Sequence, residues 1–435
     1  FRRNRSVRLE RLTYTCHRIF SKSCEGVASS RTPSRGARSR LELHRPGPPP
    51  GASQWLRGLP SADQRPAAFT VLLWLVGLAL GLGTVMVFSA SSVESLILYG
   101  SPLRIFEKQT MYVVLGTAAL AVAVRVDYRR WRRLAPVMLL GSILALVAVL
   151  VPGLGIGSGG ASRWLGVGSL RVQPSEVAKL AVLVYVADML ARRQRSVGDW
   201  RQSVRPVAIL LGVVGMLLMM QPDMGTSLVV ALIAFTLLWA AGVPLRALGA
   251  LVFMAVVGVL ALGWAAPYRR ARLLSFVDPW HHKLSSGFQV VESLVGFSGG
   301  HLTGVGLGAS PLKWGLLPNP YTDFIFSVVG SELGLLGSVA IVVLFGAIGW
   351  WGIRIAARAP DCFGTLLAAG ITAWLVGQAT INMGAVVGLL PVTGIPLPFI
   401  SFGGSSLVIE MAATGMLLNV AARSEENRSA KSWRD

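Results

Sequence analysis

The stretch LPNPYTDFIFSVVGSE, residues 317–332, joins a long polar loop to a strongly apolar segment. A Pro-x-Pro turn precedes Asp323, which is the last charged residue before the apolar run begins. Because a helix N-terminus favours a carboxylate, Asp323 is either an N-terminal cap or a group with a chemical use. The rigid turn would hold its side chain at a fixed depth, which favours the second interpretation. Asp323 is therefore predicted to be a catalytic base.

Apolar segments dominate the rest of the chain. Of 435 residues, 53% are hydrophobic and only 14% are charged, whereas soluble domains carry about 25% charged residues. Runs long enough to cross a hydrocarbon core of roughly 30 Å recur along the sequence. We therefore predict an all-α, polytopic integral membrane protein with about ten transmembrane helices. The predicted spans are residues 67–90, 109–126, 134–152, 176–191, 206–220, 224–241, 244–265, 324–351, 364–389 and 404–422.

The distribution of charge orients these spans. The net charge of +21 comes from Arg and Lys residues that crowd alternate loops, as membrane orientation requires, and it brings cations close to anionic membrane lipids. Because no folded basic module is apparent, we expect no nucleic-acid partner. Both termini are predicted to be cytoplasmic. Residues 1–66 form a disordered basic tail, residues 67–422 the ten-span membrane domain, and residues 423–435 a short C-terminal tail.

The opposite, extracytoplasmic side receives the longest loop, residues 267–322 between spans seven and eight. Loops of this length are usually functional or disordered. Its amphipathic and Gly-rich parts predict that it re-enters the membrane or lies on the membrane surface. His281, His282 and His301 have no supporting metal-ligand spacing, so we interpret them as solvated residues. The glycine string at residues 153–160 lacks the ending of a nucleotide loop and is predicted to form turns.

A second polar cluster is predicted at the start of the fourth span. Glu176 and Lys179 are spaced i,i+3 and therefore share one helix face. Either they form an interfacial ion pair, or Lys179 holds a pyrophosphate group together with Arg163 and Arg171. Asp223 lies in the QPD turn between spans five and six. It either caps the sixth span, joins this cluster, or helps to hold a divalent cation.

The segment PVTGIPLPFISFGGSS, residues 391–406, is apolar but interrupted by Pro and Gly. Broken backbone at membrane depth is tolerated only where it lines a cavity, so the segment is predicted to be one wall of a substrate cleft. Its candidate binding residues are Ser401, Gly403, Gly404 and Ser405. Glu332 and Glu410 lie well inside predicted spans, where we expect packed, hydrogen-bonded or protonated carboxyl groups.

Six motifs appear in a fixed order along the chain. They are RVQPSEVAKL, QPDMGTSL, RRARLLSFVDPW, SSGFQVVESLVGFSGGHLTGVGLG, LPNPYTDFIFSVVGSELGLLG and LLPVTGIPLPFISFGGSS. This set resembles the shape, elongation, division and sporulation (SEDS) family of bacterial cell-wall polymerases over nearly all of residues 67–422. The DPW at residues 278–280 is more similar to the FtsW branch of that family than to the RodA branch. The chain departs from the family pattern at Tyr321, where His is usual, and at Ser331, where Glu is usual.

The resemblance implies a peptidoglycan glycosyltransferase of the bacterial cytoplasmic membrane that polymerises lipid II for septal cell-wall synthesis, with undecaprenyl pyrophosphate as the leaving group. It implies Asp323 as the general base and the active site on the extracytoplasmic side. The other family positions fall on Glu176, Lys179, Arg171 and Asp223. Implied partners are lipid II, a class B penicillin-binding protein transpeptidase and other divisome proteins. A divalent cation, Mg²⁺ or Mn²⁺, is expected as cofactor, although no dedicated ligand set is identifiable from the sequence.

Three other functions suit parts of the same pattern. A RodA-like polymerase of cell elongation would carry nearly the same motifs. A lipid II flippase or transporter would also have many spans, broken segments and buried carboxylates. A catalytically silent scaffold for the transpeptidase would need only the bundle. Asp, Glu, Lys and Arg residues concentrate at the predicted outer mouth rather than through the whole bilayer, which favours extracytoplasmic chemistry.

Overall fold

The computed structural model of the protein describes residues 66–158, 161–167, 170–265, 276–285 and 287–424. The α-helices within these ranges are α1 (Ala67–Tyr99), α2 (Arg104–Arg125), α3 (Tyr128–Leu150), α4 (Pro174–Arg192), α5 (Val204–Met220), α6 (Met224–Ala241), α7 (Leu245–Ala265), α8 (Phe288–Gly300), α9 (Ile325–Arg358), α10 (Cys362–Val386) and α11 (Ser405–Arg423). The predicted N-terminal tail, apart from Pro66, and most of the predicted C-terminal tail lie outside the described residues.

Every predicted span overlaps one of these helices. Six helices, namely α1, α3, α6, α9, α10 and α11, are long and apolar enough to cross a membrane by length and composition. Helix α5 and the part of α7 at Leu245–Met254 are shorter apolar helices. The prediction of a helical, polytopic membrane protein is therefore confirmed, whereas the number of ten membrane crossings stays a prediction.

Several helices extend beyond the predicted spans, because charged and polar residues continue them. Helix α1 runs nine residues past the predicted end at residue 90 and stops at Gly100, which adopts a left-handed conformation with φ of 69°. Helix α3 begins six residues before the predicted start at residue 134, with Asp127 accepting a hydrogen bond from Arg129 N at its N-cap. Arg is a good helix former, so an Arg-rich loop does not have to end a helix.

Helix α9 is broken at Gly334, where φ is 67° and ψ is −161°. The long loop satisfies the main chain on both sides of the break through four hydrogen bonds: Val305 N to Ser331 O (3.0 Å), Gly306 N to Glu332 O (3.1 Å), Leu335 N to His301 O (3.0 Å) and Leu336 N to Leu302 O (3.2 Å). A Cβ at Gly334 would lie 2.4 Å from Gly304 N, so only glycine fits there. The predicted continuous span at residues 324–351 is therefore interrupted.

The glycine string at residues 153–160 does not consist of turns alone, as predicted. It contributes β1 (Ile156–Ser158) to a three-stranded antiparallel sheet with β2 (Ala161–Val167) and β3 (Leu170–Val172). Strand β3 leads directly into α4. These strands are short and contain several glycines, so no alternating pattern marks them in the sequence. The sheet carries Arg163 and Arg171 beside the start of α4.

Ion pairs join the ends of several helices at one end of the bundle. Arg129 Nε lies 2.9 Å from Asp361 Oδ2, and Arg423 Nη1 lies 3.2 Å from Asp127 Oδ2. Asp188 pairs with both Arg132 and Arg192. These contacts bring the Arg-rich loop between α2 and α3, the C-terminus of α4, the loop between α9 and α10 and the C-terminus of α11 together. Loops predicted to share one side of the membrane therefore meet in the structure.

The described part of the long loop packs on the bundle. Its amphipathic part forms α8, which buries Val290 and Val291. Ser293 Oγ donates a hydrogen bond of 2.8 Å to Val386 O, at the C-terminal end of α10. Gly300 approaches α9 so closely that a Cβ there would lie 2.0 Å from Gly330 O. The loop therefore lies against α9 and α10 before the chain reaches Asp323.

Candidate active site

Asp323 lies two residues before the first residue of α9. The N-cap residue is Phe324, with no side-chain capping hydrogen bond. The Asp323 side chain is half-buried, and Thr322 Oγ1 donates a hydrogen bond of 2.8 Å to Asp323 Oδ1. The N-cap position of α9 therefore belongs to Phe324, and the role of Asp323 as a catalytic base stays a prediction.

Tyr321 fixes the turn that presents Asp323. Its carbonyl oxygen accepts a 2.9 Å hydrogen bond from Phe402 N, and the two rings meet edge to face at a centroid distance of 5.7 Å. The Tyr321 hydroxyl donates to Glu94 Oε1 at 3.3 Å. Burial raises the pKa of this phenol above its ordinary value, and the Glu94 carboxylate raises it further. Tyr321 therefore stays protonated and ties the turn to α1.

A small cleft adjoins Asp323. Its polar lining comes from Asp323, Asn382 and Thr393, and its apolar lining from Phe324, Ala385, Val386, Val392 and Ile395. Gly394 is exposed at the cleft, and a Cβ at this glycine would lie 3.8 Å from Asp323 Oδ2. The Asp323 carboxylate therefore lies beside an exposed part of the cleft, which suits a base that has to meet a substrate.

Asn382 connects Asp323 to the broken segment. Its side-chain amide donates to Asp323 O at 2.7 Å and to Ile395 O at 2.8 Å. Residues 387–404, between α10 and α11, form no helix or strand, so their backbone groups need partners from elsewhere. The Asn382 amide nitrogen supplies such a partner to Ile395 O, and it also holds the main chain at Asp323 through Asp323 O.

The predicted ion pair of α4 is present and lies deep in the protein. Lys179 Nζ is 2.9 Å from Glu176 Oε2 and donates to Gln378 Oε1 at 2.8 Å. The residue exposes 0% of its surface. Ser406 Oγ lies 2.9 Å from Glu176 Oε2 and 3.0 Å from Glu410 Oε1. The structure thus encloses Lys179 in a buried network rather than at an open anion site, and its binding to pyrophosphate stays a prediction.

Asp223 fulfils two of its predicted roles. Its Oδ1 accepts a 3.1 Å hydrogen bond from Thr226 N and so caps α6. Its Oδ2 accepts hydrogen bonds from Ser175 Oγ at 3.0 Å and from Gln173 Nε2 at 3.3 Å. Asp223 therefore links the QPD turn to the start of α4, which places it beside the α4 cluster.

The two predicted site arginines differ in their environments. Arg163 donates to Gln221 O at 3.0 Å and to Pro222 O at 2.6 Å, and it thereby holds the QPD turn. Arg171 is exposed on β3, two residues before Gln173. The structure therefore gives Arg163 a contact within the protein, whereas Arg171 presents its side chain at the surface.

The four candidate binding residues of the broken segment lie at its junction with α11. Ser401 Oγ accepts from Leu397 N at 2.8 Å, and Ser405 Oγ accepts from Gln173 N at 3.0 Å. Gly404 is buried, with φ of 54°, and packs against the Tyr112 ring, whereas Gly403 is half-buried. These contacts hold the segment against α2 and α4, and a direct contact with substrate stays a prediction for all four.

Residues 70–426 match the family model of FtsW, RodA and SpoVE, described as "Cell cycle protein". The chain belongs to this family. It is 41% identical over 353 residues to "Probable peptidoglycan glycosyltransferase FtsW" of Geobacter metallireducens, and the match covers 81% of this chain and 94% of that relative. It is 38% identical over 351 residues to "Stage V sporulation protein E" of Bacillus subtilis, covering 81% and 96%.

Solved structures resemble this family member along most of its length. One, described as "Structural coordination of polymerization and crosslinking by a peptidoglycan synthase complex", has a TM-score of 0.69 at 29% identity and covers 82% of this chain and 98% of the other. The rod shape determining protein RodA of Thermus thermophilus has a TM-score of 0.60 at 28% identity and covers 81% and 96%. The family and the apolar helices together identify a multi-pass bacterial membrane protein.

The expected divalent cation has no protein cage in the described ranges. No three His, Cys, Asp or Glu side chains lie together there in a way that would hold a metal ion. Asp323 is the carboxylate that lines the cleft, and its neighbours Asn382 and Thr393 are neutral. One carboxylate with neutral neighbours does not fit a site built by protein ligands alone.

Two amide side chains of α10, Gln378 and Asn382, bind groups that the sequence alone does not identify. Gln378 donates to Pro396 O and to Glu410 Oε1, each at 2.9 Å. Polar residues spaced i,i+4 in an otherwise apolar helix were the available signal. The prediction that Glu332 and Glu410 are packed and hydrogen-bonded is confirmed. Both residues are buried. Ser89 Oγ lies 2.7 Å from each carboxylate oxygen of Glu332, and Glu410 accepts the hydrogen bond from Gln378.

Proposed function

We propose that this protein is a peptidoglycan glycosyltransferase that polymerises lipid II into glycan strands. The observation that carries the proposal is the position of Asp323, whose half-buried carboxylate lies beside the exposed Gly394 at a cleft. The identity to proteins named as FtsW glycosyltransferases supports the same reaction class. A carboxylate presented in this way suits proton abstraction from a sugar hydroxyl.

The proposed reaction is an inverting glycosyl transfer. Asp323 takes the proton from the 4-hydroxyl of the acceptor N-acetylglucosamine, and that oxygen attacks the anomeric carbon of the donor N-acetylmuramic acid. The bond from this carbon to the pyrophosphate oxygen breaks, and undecaprenyl pyrophosphate leaves with the bonding electrons. One carboxylate suffices because pyrophosphate departs without being protonated, unlike the sugar leaving group in a glycosidase. A general base of this kind typically contributes about 10²–10⁴-fold to the rate.

We propose that Arg171 contacts the leaving pyrophosphate. It is exposed two residues before Gln173, and the Gln173 side chain contacts Asp223. Gly225, in the first turn of α6, packs against Thr393 of the cleft wall. Gln173 and the cleft wall therefore both contact residues at the start of α6, and the Arg171 guanidinium, two residues from Gln173, suits phosphate geometry. A divalent cation, Mg²⁺ or Mn²⁺, would be held chiefly by the phosphate oxygens of the substrate.

The proposed setting is the division septum, with the site on the extracytoplasmic side and both termini in the cytoplasm. The identity of 41% to a protein named FtsW, against 28% to a RodA structure, supports division over elongation. We propose a class B penicillin-binding protein transpeptidase and other divisome proteins as partners. A similar structure described as a complex that coordinates polymerization and crosslinking supports such a pairing.

The Asp323→Asn variant tests the proposal. The purified full chain, alone and with its transpeptidase partner, is given lipid II, and glycan polymers are separated by size. Wild-type protein should make polymer and Asp323→Asn should lose at least about 10²-fold of the rate, with an unchanged Tm and unchanged binding of the transpeptidase. Chelation by EDTA should lower the wild-type rate, and Mg²⁺ or Mn²⁺ should restore it. Polymerisation by Asp323→Asn at the wild-type rate would refute the proposed role.

One observation favours a second function, transport of a lipid-linked substrate. Glu176, Lys179 and Glu410 form a charged cluster inside the bundle, and ionisable residues at such depth often mark transport pathways. The same variant distinguishes the two functions. A transporter would move lipid II across proteoliposome membranes as well with Asn at position 323 as with Asp, and it would form no polymer.

A further inference from the structure

Two residues that line the Asp323 cleft each carry a buried polar atom with no hydrogen-bond partner in the part of the chain that the structure describes. The two atoms are Asn382 Oδ1 and Thr393 Oγ1. Buried polar groups without partners are rare and costly in folded proteins, so each one needs an explanation. Both residues line the cleft that holds the proposed base, which directs the explanation to a ligand.

The orientation of the Asn382 amide follows from its contacts. Its nitrogen donates to two main-chain carbonyl oxygens, those of Asp323 at 2.7 Å and Ile395 at 2.8 Å. Carbonyl oxygens only accept, so the nitrogen must lie on that side and the oxygen on the other. Asn382 is only 2% exposed. Its Oδ1 is therefore fixed as a hydrogen-bond acceptor, because turning the amide over would break both bonds of the nitrogen.

Thr393 completes the set of polar atoms. Its carbonyl oxygen is held against α6, where a Cβ at Gly225 would lie 2.6 Å from it. Its neighbour Gly394 is exposed and borders the Asp323 carboxylate. The cleft thus combines a carboxylate, an amide oxygen and a hydroxyl within apolar walls. Ligand sites are commonly built in this way, because few polar groups in an apolar wall fix the orientation of a ligand.

We propose that Asn382 Oδ1 and Thr393 Oγ1 form a subsite that binds an O–H or N–H group of the acceptor sugar beside the hydroxyl that Asp323 deprotonates. This inference rests on the proposed glycosyltransferase function. The space between the walls admits little more than a water-sized group, so it fits a protruding hydroxyl or acetamido N–H rather than a whole sugar ring. Asn382 accepts the hydrogen bond, and Thr393 donates to or accepts from the same sugar.

The subsite predicts that stability and activity respond in opposite ways. In Thr393→Val the hydroxyl becomes a methyl group of similar size, and no hydrogen bond within the described protein is lost. Removing an unpaired buried hydroxyl should leave the Tm unchanged or raise it. If the hydroxyl binds the acceptor, the same change should lower kcat/KM for lipid II about 5- to 10-fold, mainly through KM.

The test uses the purified full chain and lipid II at several concentrations, with the Tm measured for each variant. Thr393→Ser keeps the hydroxyl and should restore kcat/KM to within about twofold of wild type. Thr380→Val is the matched control, because Thr380 is exposed on α10 and its hydroxyl bonds Val376 O at 2.8 Å within the helix. This control should keep the wild-type kcat/KM.

The outcomes separate this inference from the proposed function. Wild-type protein that makes no polymer would refute the glycosyltransferase itself, and the subsite with it. If the wild-type protein is active and the Thr393→Val variant is equally active, the subsite alone is refuted. The occupant of the cleft would then be a structural water. A Thr393→Val variant with a clearly lowered Tm, or a Thr393→Ser variant that fails to recover, would also overturn the subsite.

Discussion

Lys179→Met tests whether the buried ion pair of α4 holds the bundle together or binds the leaving group directly. The ammonium lies 2.9 Å from Glu176 Oε2, 2.8 Å from Gln378 Oε1 and 5.0 Å from the centroid of the Trp374 ring. Methionine keeps the length of the side chain but leaves Glu176 as a buried carboxylate without its cation. Breaking a buried pair in this way typically costs about 3–5 kcal/mol, so for a chain of 435 residues we expect the Tm to fall by roughly 3–6 °C.

The double variant Glu176→Gln with Lys179→Met isolates the charge interaction. Glutamine still accepts a hydrogen bond from Ser406, and no unpaired ion of the pair remains. We therefore expect the double variant to be more stable than Lys179→Met, with a coupling energy of about 2 kcal/mol or more. Arg104→Met is the control, because Arg104 and Glu107 form an exposed i,i+3 pair, and exposed pairs contribute only about 0–1 kcal/mol.

Thermal unfolding of the detergent-solubilised chain gives the Tm values, and polymerisation of lipid II gives the activity below each Tm. If the pair is structural, the Lys179→Met variant loses both, and the double variant regains much of both. A Lys179→Met variant with the wild-type Tm but no polymerisation would contradict this reasoning. It would instead place the ammonium on the pyrophosphate, as the sequence interpretation allowed.

Two further changes test the parts of the structure that position Asp323. Gly334→Ala forces a Cβ to within 2.4 Å of Gly304 N at a φ of 67°, so it should cost at least about 2 kcal/mol of stability. The control is Gly346→Ala, in the same helix, which should be neutral because the new Cβ has open space around it. Equal Tm values for the two variants would contradict this prediction. Asn382→Ala leaves the carbonyl oxygens of Asp323 and Ile395 without their donor, at about 1–3 kcal/mol each. Its kcat for lipid II should also fall, whereas an unchanged Tm with full kcat would refute the positioning role.

Much of the fold follows from local sequence, because the length of an apolar run determines whether it can span a bilayer. For the same reason the Glu176–Lys179 pair was predictable, since its i,i+3 spacing places both side chains on one face whatever surrounds them. The QPD turn was also predictable, because three residues between two apolar runs leave space only for a tight connection. Here Asp223 both caps α6 and contacts α4.

The break in α9 was not predictable in this way. Gly334 stands in an apolar run like many glycines of membrane helices, and its left-handed conformation depends on residues 301–306, about thirty positions earlier in the chain. The three-stranded sheet was missed because its strands are short and rich in glycine. In both cases the deciding contacts come from elsewhere in the chain, so no local pattern marks them.

The same limit explains why Asp323 and one wall of its cleft were predictable, whereas the contacts that hold them were not. A carboxylate at the boundary of an apolar run is visible in the sequence, but its partners come from α10 and from the segment between α10 and α11. Gln378 and Asn382 stand one helical turn apart, about 6 Å along α10. Gln378 contacts Lys179, and Asn382 holds the main chain of Asp323. One rigid helix therefore sets the distance between the buried ion pair and the proposed base, and a change at either amide should be felt at both.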